Sequence, residues 1–170
     1  SVTVIGSPFV RGANLTVGGR SHRRRRAVPV AAAVHSLSVV SARLTGPMAT
    51  SIRLRRWQQR ALRAFAEHPR PDFLAVATPG AGKTTFALTA ATTALHERRA
   101  RGVVVVAPTQ HLKAQWSTAA ARFGLHLDPS WTPRDASLPA DLHGVVTTYA
   151  QVATAAEELR PISEGAFVVL

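Results

Sequence analysis

The segment Ala77-Thr78-Pro79-Gly80-Ala81-Gly82-Lys83-Thr84-Thr85 constrains this chain more than any other feature. It follows the apolar run Phe73-Leu74-Ala75-Val76-Ala77 and opens an alanine-rich stretch that extends to about Arg99. That order predicts a strand buried on both faces, a tight turn, and a helix. Gly80 and Gly82 let the backbone curl until successive N–H groups face one point. A helix beginning near Lys83 adds its unpaired first amides and the positive end of its dipole. Together these groups suit a polyphosphate. Gly80, Ala81 and Gly82 form the cradle, and the Lys83 ammonium reaches the β- and γ-phosphates as the catalytic cation. The Thr84 hydroxyl ligates Mg²⁺, and Thr85 supports the α-phosphate.

The surrounding pattern fits one α/β domain. Leu54, Trp57, Ala61, Leu62 and Phe65 recur at helical spacing with arginines between them, and Pro69 and Pro71 end that basic amphipathic helix. The threonines at 84, 85, 89, 92 and 93 weaken the helical preference of the stretch after the loop. Val103–Ala107 reads as a second buried strand. Leu112, Trp116 and Phe123 mark the inner face of a crossover helix. Residues 128–141 read as a proline-containing surface loop, Val145–Thr148 as a third strand and Gln151–Leu159 as a short helix. Ala166–Leu170 begins a fourth strand, where the sequence stops. Strands alternating with helices at this spacing predict a parallel, doubly wound sheet flanked by helices, truncated at its fourth strand.

A chain of 170 residues is long enough for one such domain and too short for two. The net charge of +12 is uneven: residues 1–47 hold seven arginines and no acid, whereas residues 48–170 set fourteen basic residues against nine acidic ones. That excess points to an anionic partner, nucleic acid above all, or to a charged tail. The only methionine is Met48, directly before the patterned segment. Residues 1–47 are therefore expected to be a disordered basic leader or a mis-called extension, with the domain occupying 48–170. The absence of cysteine fits a reducing compartment, and no apolar run approaches a membrane span, so a cytoplasmic location without a membrane partner is expected. The seven histidines are scattered and show no metal-ligand spacing.

Four segments in order resemble superfamily 2 helicases and translocases, the DEAD/DEAH-box-like group that includes restriction-enzyme motor subunits. The phosphate loop is similar to the A-x-x-G-x-G-K-[ST] form common there, with Ala77 where the stricter pattern has glycine. Leu54–Leu62 resembles the segment upstream of that loop, and the resemblance places Gln58 on the adenine base. Val105–Trp116 looks like motif Ia, which implies contacts from Pro108, Thr109 and Lys113 to a nucleic-acid backbone. Val145–Tyr149 is similar to the segment whose threonine-tyrosine pair ends the third strand, which implies a further contact from Thr148. The resemblance covers residues 52–170 and implies a RecA-like phosphate-loop lobe that uses ATP and Mg²⁺ and works on DNA more than RNA. In the family an Asp-Glu-x-His or Asp-Glu-x-Asp motif ends the fourth strand, and a second motor lobe supplies an arginine finger. Neither lies within these 170 residues, so turnover by this chain alone is not expected. Two other readings stay open: a phosphate-loop NTPase that is no helicase, and a basic nucleic-acid-binding protein with an incomplete nucleotide site.

Overall fold

The computed structural model describes residues 2–6, 52–70, 72–135 and 137–170. Its elements in chain order are β1 (Val2–Gly6), α1 (Arg56–Glu67), β2 (Asp72–Ala75), α2 (Lys83–His96), β3 (Val103–Ala107) and α3 (Gln110–Ala121). They continue with β4 (Leu127–Asp128), β5 (Gly144–Thr148), α4 (Tyr149–Thr154), α5 (Ala156–Ser163) and β6 (Phe167–Val169). Six strands form one sheet in the order β2-β1-β6-β3-β5-β4. Strands β6, β3, β5 and β4 run parallel, with Val103 opposite both Gly144 and Phe167. This is the α/β, RecA-like architecture expected from the pattern.

The valine runs explain the layering. β3 is buried along its whole length, and its side chains alternate between faces with the period-2 geometry of a strand. Val103, Val105 and Ala107 join Leu62, Phe86, Leu88, Val146 and Phe167 in one core. Val104 and Val106 join Trp131, Val145 and Leu159 in the other. Helices α1, α2 and α3 cover the first face, through Trp57, Phe65, Leu112 and Trp116 among others. Helices α4 and α5 cover the second. The threonines of α2 are accommodated by back-bonding to the preceding turn. Thr89 donates to the Thr85 carbonyl, Thr92 to Leu88 and Thr93 to Thr89.

Three expectations need correction. The strand before the phosphate loop is not buried on both faces: β2 lies at the sheet edge, and Leu74 and Val76 are 59% and 72% exposed. Only its Phe73/Ala75 side meets the core. The 128–141 segment is not wholly a surface loop, because Trp131 is buried and anchors the second core. The single helix foreseen at 151–159 is two, broken at Ala155 and preceded by a start at Tyr149. Within the segment expected to be a leader, Val2–Gly6 is a strand, antiparallel to both β2 and β6 and seated between them. Residues 7–51, including Met48 and the arginine run, lie outside the described residues, as do Pro71 and Ala136. No helix among the described residues is long and apolar enough to cross a membrane.

Gly144 is the position where the parallel pairing tolerates no side chain. A Cβ there would fall on the backbone of Val103, its partner across the β3–β5 pair, and neither strand has room to move within two cores. Replacing Gly144 with alanine is expected to lower unfolding free energy by roughly 1–3 kcal/mol, the usual range for overpacking. Urea denaturation of the purified chain measures this directly.

Candidate nucleotide and nucleic-acid site

The backbone leaves β2 at its carboxyl end and turns back through residues 76–82 before α2 begins. Gly80 and Gly82 both adopt left-handed conformations, with φ of 72° and 88°, which cost a residue with a Cβ about 1–2 kcal/mol. At Gly80 the requirement is conformational alone, since a Cβ would meet nothing within 4 Å. At Gly82 it is also steric: a Cβ would stand 2.7 Å from the Gln58 amide nitrogen. Residues 78–80 are exposed, so the loop stands at the surface rather than in the core.

Gly82 caps α2 without a side-chain acceptor. The first helical hydrogen bond runs from the Phe86 N–H to the Gly82 carbonyl at 3.2 Å. The amides of Lys83, Thr84 and Thr85 therefore have no acceptor within the helix and present the positive end of its dipole. The Lys83 ammonium donates to the carbonyls of Ala77 and Thr78, at 2.8 and 3.1 Å. It thus lies over the loop, held by neutral acceptors that an anionic oxygen would displace. Thr84 and Thr85 occupy the first turn beside it, both half-buried. A half-buried Thr84 hydroxyl on that turn suits the Mg²⁺ role that the sequence predicts. Amides, one ammonium and a hydroxyl on a single half-buried turn fit a polyphosphate with its metal ion.

Gln58 is 2% exposed. Its amide oxygen accepts from the Arg55 N–H at 2.7 Å, closing the helix start as a third-position glutamine does. Its amide nitrogen donates to the Gly82 carbonyl at 2.8 Å. The side chain expected on the base therefore already holds the loop through two of its four hydrogen-bonding positions.

The residues expected on nucleic acid divide into two pairs. Pro108 and Thr109 are exposed at the carboxyl end of β3, where α3 begins, the sheet edge at which open α/β folds place ligands. Thr148 closes the neighbouring strand, paired with Ala107, but is only 4% exposed. Lys113 is likewise 4% exposed. Both are tied to one residue that the sequence marked only as the start of a short helix, Gln151. Its amide oxygen accepts from the Lys113 ammonium at 3.2 Å, the Thr147 hydroxyl at 3.3 Å and the Thr148 N–H at 3.1 Å. Its amide nitrogen donates to the Trp131 carbonyl at 3.2 Å, and its backbone N–H donates to the Thr148 hydroxyl. The signal was legible: Thr148-Tyr149-Ala150-Gln151 has the T-x-x-Q spacing of a capping box. Lys113 is a buried strut beneath this edge, neither a solvated helix residue nor an exposed phosphate contact.

No group of three or more metal-ligating side chains occurs among the described residues. His126 and His143 meet edge to face at 5.6 Å between ring centroids. A cavity lined by Arg101, Leu138, His143 and Ile162 lies at the amino-terminal ends of β3 and β5, away from the phosphate loop.

A sheet whose strands β6, β3, β5 and β4 run parallel, with helices on both faces, defines an α/β, RecA-like lobe. The match to known proteins is more specific: residues 51–170 fit the model of the type III restriction enzyme res subunit, and the chain belongs to that family of superfamily 2 helicase-like N-terminal domains. An uncharacterized protein of Mycobacterium leprae is 50% identical over 113 residues, covering 66% of this chain and 19% of that protein. Uncharacterized proteins of two Mycobacterium tuberculosis strains are 50% identical over 101 residues, covering 59% of this chain and 17% of each. The chain thus spans less than a fifth of these curated relatives. No solved structure matches it.

Burial holds the Lys113 ammonium below the ordinary lysine value, and the Asp128 carboxylate partly offsets the shift. Between that lowered value and the ordinary one, the unfolded chain binds more protons than the folded one, so this residue makes stability rise with pH there. Below the window its desolvation cost is fully present. Lys113→Met should therefore stabilise the fold at pH 7. It should also flatten the gain on moving into the lysine titration range. Parallel urea titrations of both proteins from neutral to alkaline pH test this; a less stable variant at pH 7 would mean that the Gln151 bond outweighs desolvation.

Proposed function

We propose that this chain is the ATP-binding lobe of a DNA helicase or translocase, coupling hydrolysis in the longer protein to movement on nucleic acid. One observation carries the reading: the turn at 77–83 lies at the carboxyl end of β2 with residues 78–80 exposed, and the helix amides and the Lys83 ammonium stand on the same turn. Gly80, Ala81 and Gly82 cradle the phosphates, and Lys83 exchanges its two carbonyl partners for β- and γ-oxygens. Thr84 holds Mg²⁺, which when bound neutralises phosphate charge. Thr85 supports the α-phosphate. Gln58 is the candidate for the base side, through the amide positions not used by Arg55 and Gly82. Pro108 and Thr109 offer an exposed contact to a DNA backbone, with Thr148 and Lys113 shaping the edge beside them.

The family match supports the helicase-like class, and a lobe of this kind completes its nucleotide site against a second motor lobe. Residues 48–170 carry the motifs that do this work, in the cytoplasm, with Val2–Gly6 adding a strand to their sheet. Phosphoryl transfer in such a cleft is positioning and charge neutralisation more than covalent chemistry by the protein.

Lys83→Ala is expected to weaken binding of Mg·ATP at least tenfold, because it removes the loop's only ammonium. Isothermal calorimetry on the 170-residue chain reads the change, with thermal unfolding as a check on folding. Equal affinity in the two proteins would rule out the loop as a phosphate site.

A further inference from the structure

Three consecutive carbonyls of the loop each receive a donor from the N-cap or first turn of α1. The Arg55 guanidinium Nη1 donates to the Gly80 carbonyl at 3.3 Å. The Trp57 indole Nε1 donates to the Ala81 carbonyl at 3.0 Å. The Gln58 amide donates to the Gly82 carbonyl at 2.8 Å. In a planar trans peptide the C=O and the following N–H point in opposite directions. With carbonyls 80, 81 and 82 turned toward α1, the N–H groups of Ala81, Gly82 and Lys83 must turn away from it. The Ala81 N–H closes a turn on the Thr78 carbonyl at 3.2 Å. Those of Gly82 and Lys83 likewise point away from α1.

We infer that Arg55, Trp57 and Gln58 form a clasp on the back of the loop that sets the direction of its phosphate-facing amides, with Trp57 as the central positioning residue. This deepens the nucleotide-site reading above and rests on it. Gln58 has a second duty in closing α1, and Arg55 is exposed. Trp57 holds the middle of the three peptides, and its ring is anchored against Phe86 of α2, 6.0 Å between centroids. The loop has glycines on both sides of Ala81, so its peptides are free to rotate unless something outside the loop fixes them. The indole N–H supplies that constraint. Its direction is set by the same packing that joins α1 to α2, so the loop is organised before any anion arrives.

Trp57→Phe keeps a ring against Phe86 and deletes the N–H. The expected result is about a fivefold loss of affinity, the worth of one ordinary hydrogen bond. The loss should be equal for Mg·ATP and for inorganic tripolyphosphate with Mg²⁺, because the clasp acts on amides that face phosphate and not on the base. The unfolding temperature should stay close to that of the parent chain. Arg55→Met removes the exposed Gly80 contact without touching the core and should give the same pattern at about twofold, which keeps the test open if Trp57→Phe misfolds. Calorimetry with both ligands on the parent chain, both variants and Lys83→Ala separates the outcomes. Unchanged affinity in the two clasp variants, with both ligands lost in Lys83→Ala, overturns the clasp and leaves the nucleotide site standing. A loss confined to ATP would place Trp57 on the base and also overturn the clasp. Absence of binding by the parent chain overturns both readings.

Discussion

The direction of a few peptide planes between β2 and α2 governs the rest of this molecule. An anion site made from amides works only if the carbonyls on the other side of those peptides are satisfied, because a backbone acceptor taken from water without a partner costs free energy. Here the carbonyls of Ala77 and Thr78 are occupied by Lys83, and those of Gly80, Ala81 and Gly82 by α1. The left-handed glycines permit the bend; the donors around it choose which way it faces. Packing of α1 on α2 through Trp57 and Phe86 makes that choice part of the hydrophobic core.

A second polar centre organises the neighbouring strand ends. Gln151 draws the β5 threonines, the α3 lysine and the Trp131 loop onto one amide. A buried ammonium is expensive to desolvate, and its hydrogen bond to this glutamine joins α3 to the start of α4 at one defined point. The two strand ends carrying Thr109 and Thr148 are thereby held in one register, Ala107 opposite Thr148. The same contacts leave Pro108 and Thr109 as the exposed part of that edge. One side chain, Gln58 or Gln151, sits at the hub of each network, and each reaches back to close the helix on which it stands.

Much of this was legible from residue order alone. The valine run at 103–107 could only be a strand covered on both sides, and its alternate residues do enter two separate cores. The glycine-lysine-threonine turn dictated a strand before it and a helix after it. The five threonines did not prevent α2, because each hydroxyl of Thr89, Thr92 and Thr93 found a carbonyl one turn back. By contrast, Phe73–Ala77 has the same apolar composition as a central strand, and hydropathy does not report a strand's rank in the sheet. Trp131 escaped notice because prolines and polar residues surround it, although its ring fills the second core.

Residue order therefore determined the chemical inventory: which backbone can bend, which cation stands beside the bend, and which strands must be internal. These are local properties, set by φ preferences and side-chain periodicity within a few residues. Tertiary structure alone decided what each polar side chain does. It turned Gln58 and Trp57 onto the loop across 24 residues of sequence, buried Lys113 against Gln151 across 38, and seated Val2–Gly6 between β2 and β6. Those outcomes depend on partners brought close by the folding of the whole sheet, and no window of sequence contains both members of any such pair.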